Sequence, residues 1–252
     1  MARFTDKVVV ITGASGGVGR AAAQGFAREG AALALVDVEP NGLEATAAML
    51  RDGGTACTTH QTDLSQEPDI AALGAELCAR HARIDVLYNN AGIAYGEINA
   101  PIETIGMAKW LRYLAINSVA PLLLAQALRP ALAAAQGVIL NQSSMASFQP
   151  GNAYGVTKAM LNAMTYAMAA SFGGDGVRVN AIAPGLMETG ASNSGLTPET
   201  VARIQGMQVL KGHGLPEDIV RLALFLASDD ARFITAEVVA CDAGNRVRGW
   251  RY

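Results

Sequence analysis

Charge is what this 252-residue chain has least of. Only 16% of its residues are charged, and 19 basic against 22 acidic side chains leave a formal charge of -3. Such a balance offers no basic stripe for nucleic acid and no polybasic patch for an anionic membrane, which points to a small-molecule partner. Cysteine is scarce as well. Cys57, Cys78 and Cys241 are odd in number, widely scattered and without metal-ligand spacing, so reduced core thiols in a reducing, cytoplasmic compartment are expected. The histidines, His60, His81 and His213, are isolated, and no metal site is expected. Long apolar runs are missing too: the stretch 119–125 is interrupted by Pro121 and closed by Gln126, too short to cross a bilayer. The first residues run straight into Val8 to Ile11 with no signal-peptide core or cleavage site, so a soluble protein is expected.

What the chain does have is apolar bulk. Hydrophobic residues make up 51%, which excludes a disordered polyelectrolyte, and the length suffices for a full core in one domain. Lys7 to Thr12 is a β-branched run that stops at Gly13-Ala14-Ser15-Gly16-Gly17-Val18-Gly19, and an alanine-rich helical stretch follows to Gly30. Glycines permit positive φ and close backbone approach, and the free N–H groups of a helix start attract a pyrophosphate. The Gly13-x3-Gly17-x-Gly19 spacing departs from the common Gly-x-Gly-x-x-Gly fingerprint, so a purely structural turn is the competing reading. Ala32 to Val38 reads as the second strand, with Asp37 at its end. A carboxylate there accepts hydrogen bonds from ribose hydroxyls and repels a 2′-phosphate, which favours NAD over NADP. Neither Ser15 nor Gly16 supplies a cation for that phosphate.

Farther along, Asn41 and Glu44 have the spacing of a helix capping box, and the helix stops at Gly53-Gly54. Thr55 to Gln61 is the third strand, followed by Asp63-Leu64-Ser65. Either Asp63 faces a ligand at the strand's carboxyl end, or Asp63 or Ser65 caps the helix that runs to about Arg80. The strand Ile84 to Tyr88 delivers Asn89-Asn90-Ala91-Gly92, whose amides suit bracing of the glycine turn and whose small residues suit the floor of a flat ring. A long helical region spans Ile102 to about Ala135. Its amide Asn117, amid Leu114, Ile116, Val119 and Leu122, must find partners if buried and so marks a kink or a site; spacing alone favours structure. Val138 to Asn141 leads to Ser143 and Ser144, and Pro150-Gly151 leads into a helix bearing Tyr154-Gly155-Val156-Thr157-Lys158. Positions four apart share a helix face, so Lys158 lies beside Tyr154, where a cation favours the phenolate. An ordinary amphipathic face is the alternative. Met160, Met164 and Met168 on this helix read as a core or subunit-interface stripe. Val177 to Ala183 is a further strand, and the Gly-, Ser- and Asn-rich stretch 190–195 suggests a mobile lid over a site. Pro216 to Ala227 reads as an amphipathic helix and Val238 to Cys241 as a last strand.

In this order, Thr12-Gly13-x3-Gly17-x-Gly19, Asn89-Asn90-Ala91-Gly92, Asn117, Ser144, Tyr154-x3-Lys158, Pro184-Gly185 and Thr189 resemble the short-chain dehydrogenase/reductase family over Lys7 to about Gly244. The resemblance implies a Rossmann-type, doubly wound α/β fold: one domain, a mostly parallel seven-stranded sheet, helices on both faces and a substrate lid at about 186–215. It implies Tyr154 as general acid/base, Lys158 lowering its pKa and holding the nicotinamide ribose, Ser144 positioning the substrate oxygen and Asn117 serving a proton relay. For the cofactor, NAD, it implies the turn of Gly13, Ser15, Gly17, Val18 and Gly19 at the pyrophosphate and Asp37 at the adenosine ribose. Asp63 and Leu64 fall at the adenine, Asn90, Ala91 and Gly92 at the neighbouring ribose and floor, and Pro184, Gly185, Met187 and Thr189 beside the nicotinamide. A homodimer or homotetramer is implied as well.

The expected reaction is hydride transfer between NAD(H) and a secondary alcohol or ketone of a mostly apolar small molecule. Ile93, Tyr95, Met145, Phe148, Leu186 and Met187 are the expected walls, with no fixed cation for an anionic substrate. The rivals are an acyl-thioester ketoreductase of lipid synthesis, disfavoured by Asp37, and a catalytically silent dinucleotide sensor. Two features depart from the family pattern. The step from Ser144 to Tyr154 is ten residues where about thirteen is usual, and Cys241-Asp242-Ala243-Gly244 varies the usual Asp-Gly-Gly. The shorter step is expected to widen the pocket mouth or draw Ser144 out of place.

Overall fold

A computed structural model describes residues 2–246, apart from the side chains of Ala191 and Asn193. Its centre is a run of short apolar strands: β1 (Val8–Thr12), β2 (Ala32–Asp37), β3 (Cys57–Gln61), β4 (Val86–Asn89), β5 (Val138–Gln142), β6 (Arg178–Pro184) and β7 (Val238–Cys241). All pair in parallel, in the order β3-β2-β1-β4-β5-β6-β7. Parallel neighbours need crossover helices, which cover both faces and explain why β4 and most of β1 and β5 are buried on both sides.

On one face lie α1 (Gly17–Arg28), α2 (Pro40–Asp52) and α10 (Pro216–Ala227), whose Phe26, Leu43 and Val220 join Ile11 and Leu35 in one core. On the other lie α3 (Glu67–Arg80), α5 (Ala120–Ala127), α6 (Arg129–Ala135) and α7 (Ala153–Phe172), whose Leu77, Leu124, Leu132 and Phe172 pack on Val10, Leu87 and Ile139. The strand order reverses between β1 and β4, so their carboxyl ends open a crevice where open α/β sheets take their ligands.

Several local expectations change. The second helix starts at Pro40, because proline suits a first helical position; Glu39 caps it by accepting from Asn41 N (3.2 Å) and Gly42 N (2.6 Å). The expected capping box of Asn41 and Glu44 is therefore absent, and Glu44 pairs instead with Arg51 at 2.6 Å. The long region 102–135 is not one helix. After a 3₁₀ turn, α4 (Met107–Leu114) runs into a π-helical turn at Ala115–Val119, then α5 and α6. That wide turn carries Asn117 and Ser118 inward, where Ser118 Oγ donates to Thr157 O at 2.8 Å. Along α7, Met168 is buried while Met160 and Met164 are half-buried. The stretch 190–195 forms a short helix, α8, started by Thr189, whose Oγ1 accepts from Ser192 N at 3.1 Å. A further helix, α9, spans Pro198–Gly206. Among the described residues no single helix is long and apolar enough to cross a membrane, and no cluster of potential metal ligands occurs.

Candidate active site

The glycine turn between β1 and α1 leaves no room for a side chain at Gly13 or Gly19. Gly13 sits at φ 68°, and a Cβ there would fall 2.8 Å from Asn90 Nδ2. A Cβ on Gly19 would fall 2.0 Å from the Gly13 carbonyl oxygen. Asn90 secures this approach by donating through Nδ2 to Thr12 O (2.9 Å) and Gly13 O (3.1 Å). Thr12 Oγ1 in turn accepts from Asn90 N and Ala91 N, both at 3.0 Å. The expected bracing of the turn by the amide after β4 is thus present, and Thr12 is its other half. No side chain caps α1 at Gly16, so its first amides remain free for an anion.

Gly13, Gly16, Asn90 and Ala91 border a cleft of about 740 Å³ that Asp37, Val38, Asp63, Leu64, Ile93 and Ile116 also line. The Asp37 carboxylate is held by Ser15 N (2.9 Å) and Glu39 N (3.0 Å). Asp63 does not cap α3; its Oδ1 accepts from Ser65 N at 2.9 Å while the residue stays on the cleft wall. Arg20, absent from the sequence reading, also lines this cleft. It ties the turn to α2 by donating to Ser15 O, Gly42 O and Thr46 Oγ1 (2.9 Å). A free backbone cradle, a fixed carboxylate at the end of β2 and a long cleft fit a dinucleotide.

Sharing Gly17, Asn90 and Gly92 with that cleft is a smaller pocket of about 190 Å³. Ser144, Tyr154 and Lys158 line it together with Pro184, Gly185, Met187 and Thr189. Lys158 is buried and donates from Nζ to Gln142 O at 2.7 Å, with Nζ 5.9 Å from the Tyr154 ring centre. Burial dominates both groups: it pushes the Tyr154 phenol up to about 12, against a lowering hydrogen bond from Ser144, and pushes Lys158 down to about 8. Asn117 is fully buried and its side chain is spent. Its Oδ1 accepts from Ile93 N (2.8 Å), and its Nδ2 donates to Ile93 O (2.9 Å) and Thr157 Oγ1 (3.0 Å). It thereby pins the strand end that carries Gly92, where a Cβ would lie 3.1 Å from Asn117 Oδ1 and 3.3 Å from Lys158 Nζ. Gly19 and Asn117 stand behind the cavity linings, and Val18 is on the smaller pocket.

The short step from Ser144 to Tyr154 does not splay the site. A 3₁₀ turn at Met145–Ser147 pulls the loop in, with Ser144 Oγ accepting from Ala146 N at 3.1 Å and Ser147 Oγ donating to Ser144 O at 2.6 Å. Asn162, one turn beyond Lys158 on the same face of α7, accepts from Ser143 Oγ and donates to Ser147 Oγ at 2.8 Å. Asn152 caps α7 through Gly155 N at 2.9 Å. The loop then lies directly on the helix, and a Cβ at Gly155 would come 2.8 Å from Ala146 O and 2.9 Å from Pro150 Cα. Gly155→Ala is therefore expected to lift the loop, lower the melting temperature by several degrees and cut turnover at least tenfold, because overpacking against backbone costs about 1–3 kcal/mol. Calorimetry and steady-state rates on the variant check this; wild-type values for both would refute the tight seating.

Of the expected walls, Tyr95 and Met187 line the smaller pocket and Ile93 the larger cleft, while Met145, Phe148 and Leu186 line neither. A cation was missed: the Arg246 guanidinium lies 4.7 Å from the Phe148 ring centre. Neither Arg20 nor Arg246 stands at a motif spacing that a sequence reading would single out, whereas Asn162 follows Lys158 by the same four-residue step that pairs Lys158 with Tyr154.

Residues 13–246 match the family model described as enoyl-(acyl carrier protein) reductase. The chain belongs to the short-chain dehydrogenase/reductase family. Within this family it is 35% identical over 245 residues to cis-4-hydroxycyclohexanecarboxylate dehydrogenase of Sinomonas cyclohexanicum, covering 96% of this chain and 97% of that one. It is 37% identical over 255 residues to levodione reductase of Leifsonia aquatica, covering 96% and 95%. A solved structure of 7α-hydroxysteroid dehydrogenase with NADH and 7-oxo glycochenodeoxycholic acid superposes with a TM-score of 0.90 at 28% identity, covering 96% and 95%. Short-chain dehydrogenase/reductase membership makes the chain an oxidoreductase by class; its cofactor preference and substrate rest on its own residues.

Proposed function

We propose that this protein transfers a hydride between NAD(H) and a secondary alcohol or ketone of a mostly apolar small molecule, with Tyr154 as the general acid/base. The observation that carries this reading is the convergence of the Tyr154 phenol, the Ser144 hydroxyl and the Lys158 ammonium on one pocket that opens into the glycine-turn cleft. The relatives act, by their names, on a ring alcohol and a dione, and the steroid enzyme was solved with NADH and an oxo compound. The bound dinucleotide would supply the hydride acceptor or donor at its nicotinamide.

Everything else falls to this chain. Ser144 Oγ holds the substrate oxygen against Tyr154 Oη, where the alcohol proton is taken up during oxidation and returned during reduction. A phenol near 12 is too weakly acidic for that role, and each unit of lowering needs about 1.4 kcal/mol. Lys158 spends one donor on Gln142 O, and its remaining N–H groups face the pocket to stabilise the phenolate and hold a ribose hydroxyl. Asn117 acts through Ile93 and Thr157 to keep Gly92 and Lys158 in register along the proposed proton path. Asp37 selects NAD, because its fixed carboxylate would face a 2′-phosphate. The segment 186–215 serves as the lid: Met187 bridges Gly214, and Glu188 N donates to Gly214 O at 2.8 Å, so both ends of the segment are tied at one hinge beside the pocket. Exposed Met107 and Leu111 on α4 and Tyr166 on α7 suit the face of a second copy in a homo-oligomer.

A panel of secondary alcohols with NAD, followed by absorbance of the reduced nicotinamide across pH, tests the proposal. Oxidation needs the phenolate, so its kcat/KM is expected to rise with pH until Tyr154 is ionised in the complex. Reduction needs the phenol and is expected to fall over the same range. Lys158→Met should move both inflections to higher pH, since the stabilising cation is lost. Silence across the panel, or inflections unmoved by Lys158→Met, would refute the assignment.

A further inference from the structure

The reaction above needs the Ser144 hydroxyl at a fixed point, yet Ser144 leaves the end of β5 on the short loop before α7. One face of α7 holds it there. Tyr154, Lys158 and Asn162 stand four residues apart on this helix and project one above the other. Each takes a different residue of the strand end. Lys158 Nζ donates to Gln142 O at 2.7 Å, Asn162 Oδ1 accepts from Ser143 Oγ at 2.5 Å, and the Tyr154 phenol is hydrogen-bonded to the Ser144 side chain. Asn162 does not line the pocket, so any effect it has on a substrate passes through these neighbours.

The Asn162 amide has a second grip. Its Nδ2 donates to Ser147 Oγ at 2.8 Å, and that hydroxyl donates in turn to Ser144 O at 2.6 Å. The segment 143–147 is therefore closed at both ends on one side chain, with Ser144 between them. Ser143, Ser144 and Ser147 are all buried, where a hydroxyl without a partner is destabilising and adjacent hydrogen bonds polarise one another. The first end has an independent anchor, since Ser143 N donates to Ile182 O at 2.7 Å. The second has none: among the described residues, the other hydrogen bonds of the 3₁₀ turn stay within 144–148. Asn162 is what ties this turn to the helix that carries Tyr154 and Lys158.

We propose that Asn162 is a positioning residue: by gripping Ser143 and Ser147 it keeps the Ser144 hydroxyl on the reacting oxygen and on Tyr154. It touches neither substrate nor cofactor and acts through Ser144. This inference rests on the reaction proposed above and adds to it the residue that lets so short a loop carry the serine.

The test uses Asn162→Leu, which removes both grips at similar volume, and Ser147→Ala, which removes the relay and leaves Ser143 bonded. Both are assayed with a secondary alcohol that wild type oxidises at saturating NAD. Displacing a reacting group by about 1 Å is expected to lower kcat per folded enzyme about 10- to 100-fold in Asn162→Leu, and less in Ser147→Ala. NADH affinity, read by fluorescence, should stay within about twofold of wild type. The inflection of kcat/KM for oxidation should move to higher pH in both variants, because the bond from Ser144 lowers the Tyr154 pKa and is loosened. Lys158 and Tyr95, the other titratable groups at that phenol, are unchanged. In a Ser144→Ala background, adding Asn162→Leu should lower kcat by less than about twofold further, because the hydroxyl it positions is gone. A lower melting temperature with rates and inflection at wild-type values overturns this inference alone, and so does an undiminished further loss in the Ser144→Ala background. If Asn162→Leu does not fold, Ser147→Ala decides by the same readouts. A wild type that oxidises no alcohol refutes the proposed reaction and this inference with it.

Discussion

Tyr154→Phe is expected to lower turnover by roughly 10²- to 10⁴-fold, the usual contribution of a positioned general acid/base, while dinucleotide affinity stays within about threefold of wild type. The variant removes one oxygen and keeps the ring. α7 should be undisturbed, because its start is fixed by Asn152 through Gly155 N and its register by Lys158 to Gln142 O. Ser144 loses its bond to the phenol but keeps the one from Ala146 N. Rates measured by absorbance and affinity measured by NADH fluorescence separate the two effects. Near-normal turnover would remove Tyr154 from the chemistry, whereas loss of NADH binding would mean that the phenol supports the cleft.

The second large effect concerns Asp37. Its replacement by alanine should raise kcat/KM with NADP relative to NAD by about tenfold or more, since a carboxylate a few ångströms from a 2′-phosphate costs several kcal/mol at an effective dielectric near 20. The same carboxylate accepts from Ser15 N and Glu39 N, so alanine should also loosen the glycine turn and raise KM for both dinucleotides. Asp37→Asn, which removes the charge and keeps one acceptor, separates charge from scaffold. If charge decides, both variants shift preference alike, and unchanged preference in both would refute the selection of NAD by Asp37. Arg20 is a strut of the same turn, donating from Nε to Thr46 Oγ1 and from Nη2 to Ser15 O and Gly42 O.

Much of the molecule was legible in one dimension. The strands announce themselves because a sheet covered on both faces needs continuous apolar runs, and β1, β4 and β5 are such runs. The glycine turn is legible because only glycine tolerates the approach of Gly13 and Gly19 to Asn90 and to each other. Misread places share one cause: local spacing cannot see a competing partner. Asn41 and Glu44 have the right spacing for a cap, but Glu39 together with Pro40 supplies the better helix start. The region 102–135 has helical composition throughout, yet Asn117 finds its partners on Ile93 and Thr157 only if the chain widens into a π turn.

By itself, then, the sequence determined the apolar strands and the glycine turn, because each depends on periodicity or on residues near one another in the chain. The doubly wound order and the grouping of Ser144, Tyr154 and Lys158 were expected only from the resemblance to a family. Only the tertiary structure decided how the ten-residue step from Ser144 to Tyr154 is accommodated and which polar side chains are spent on one another. The step closes because Asn162, Ser143 and Ser147 bond across a helix face and Gly155 leaves room beneath Ala146. Hydrogen-bonding capacity is finite and shared in space, so which groups are spent is a property of the folded chain.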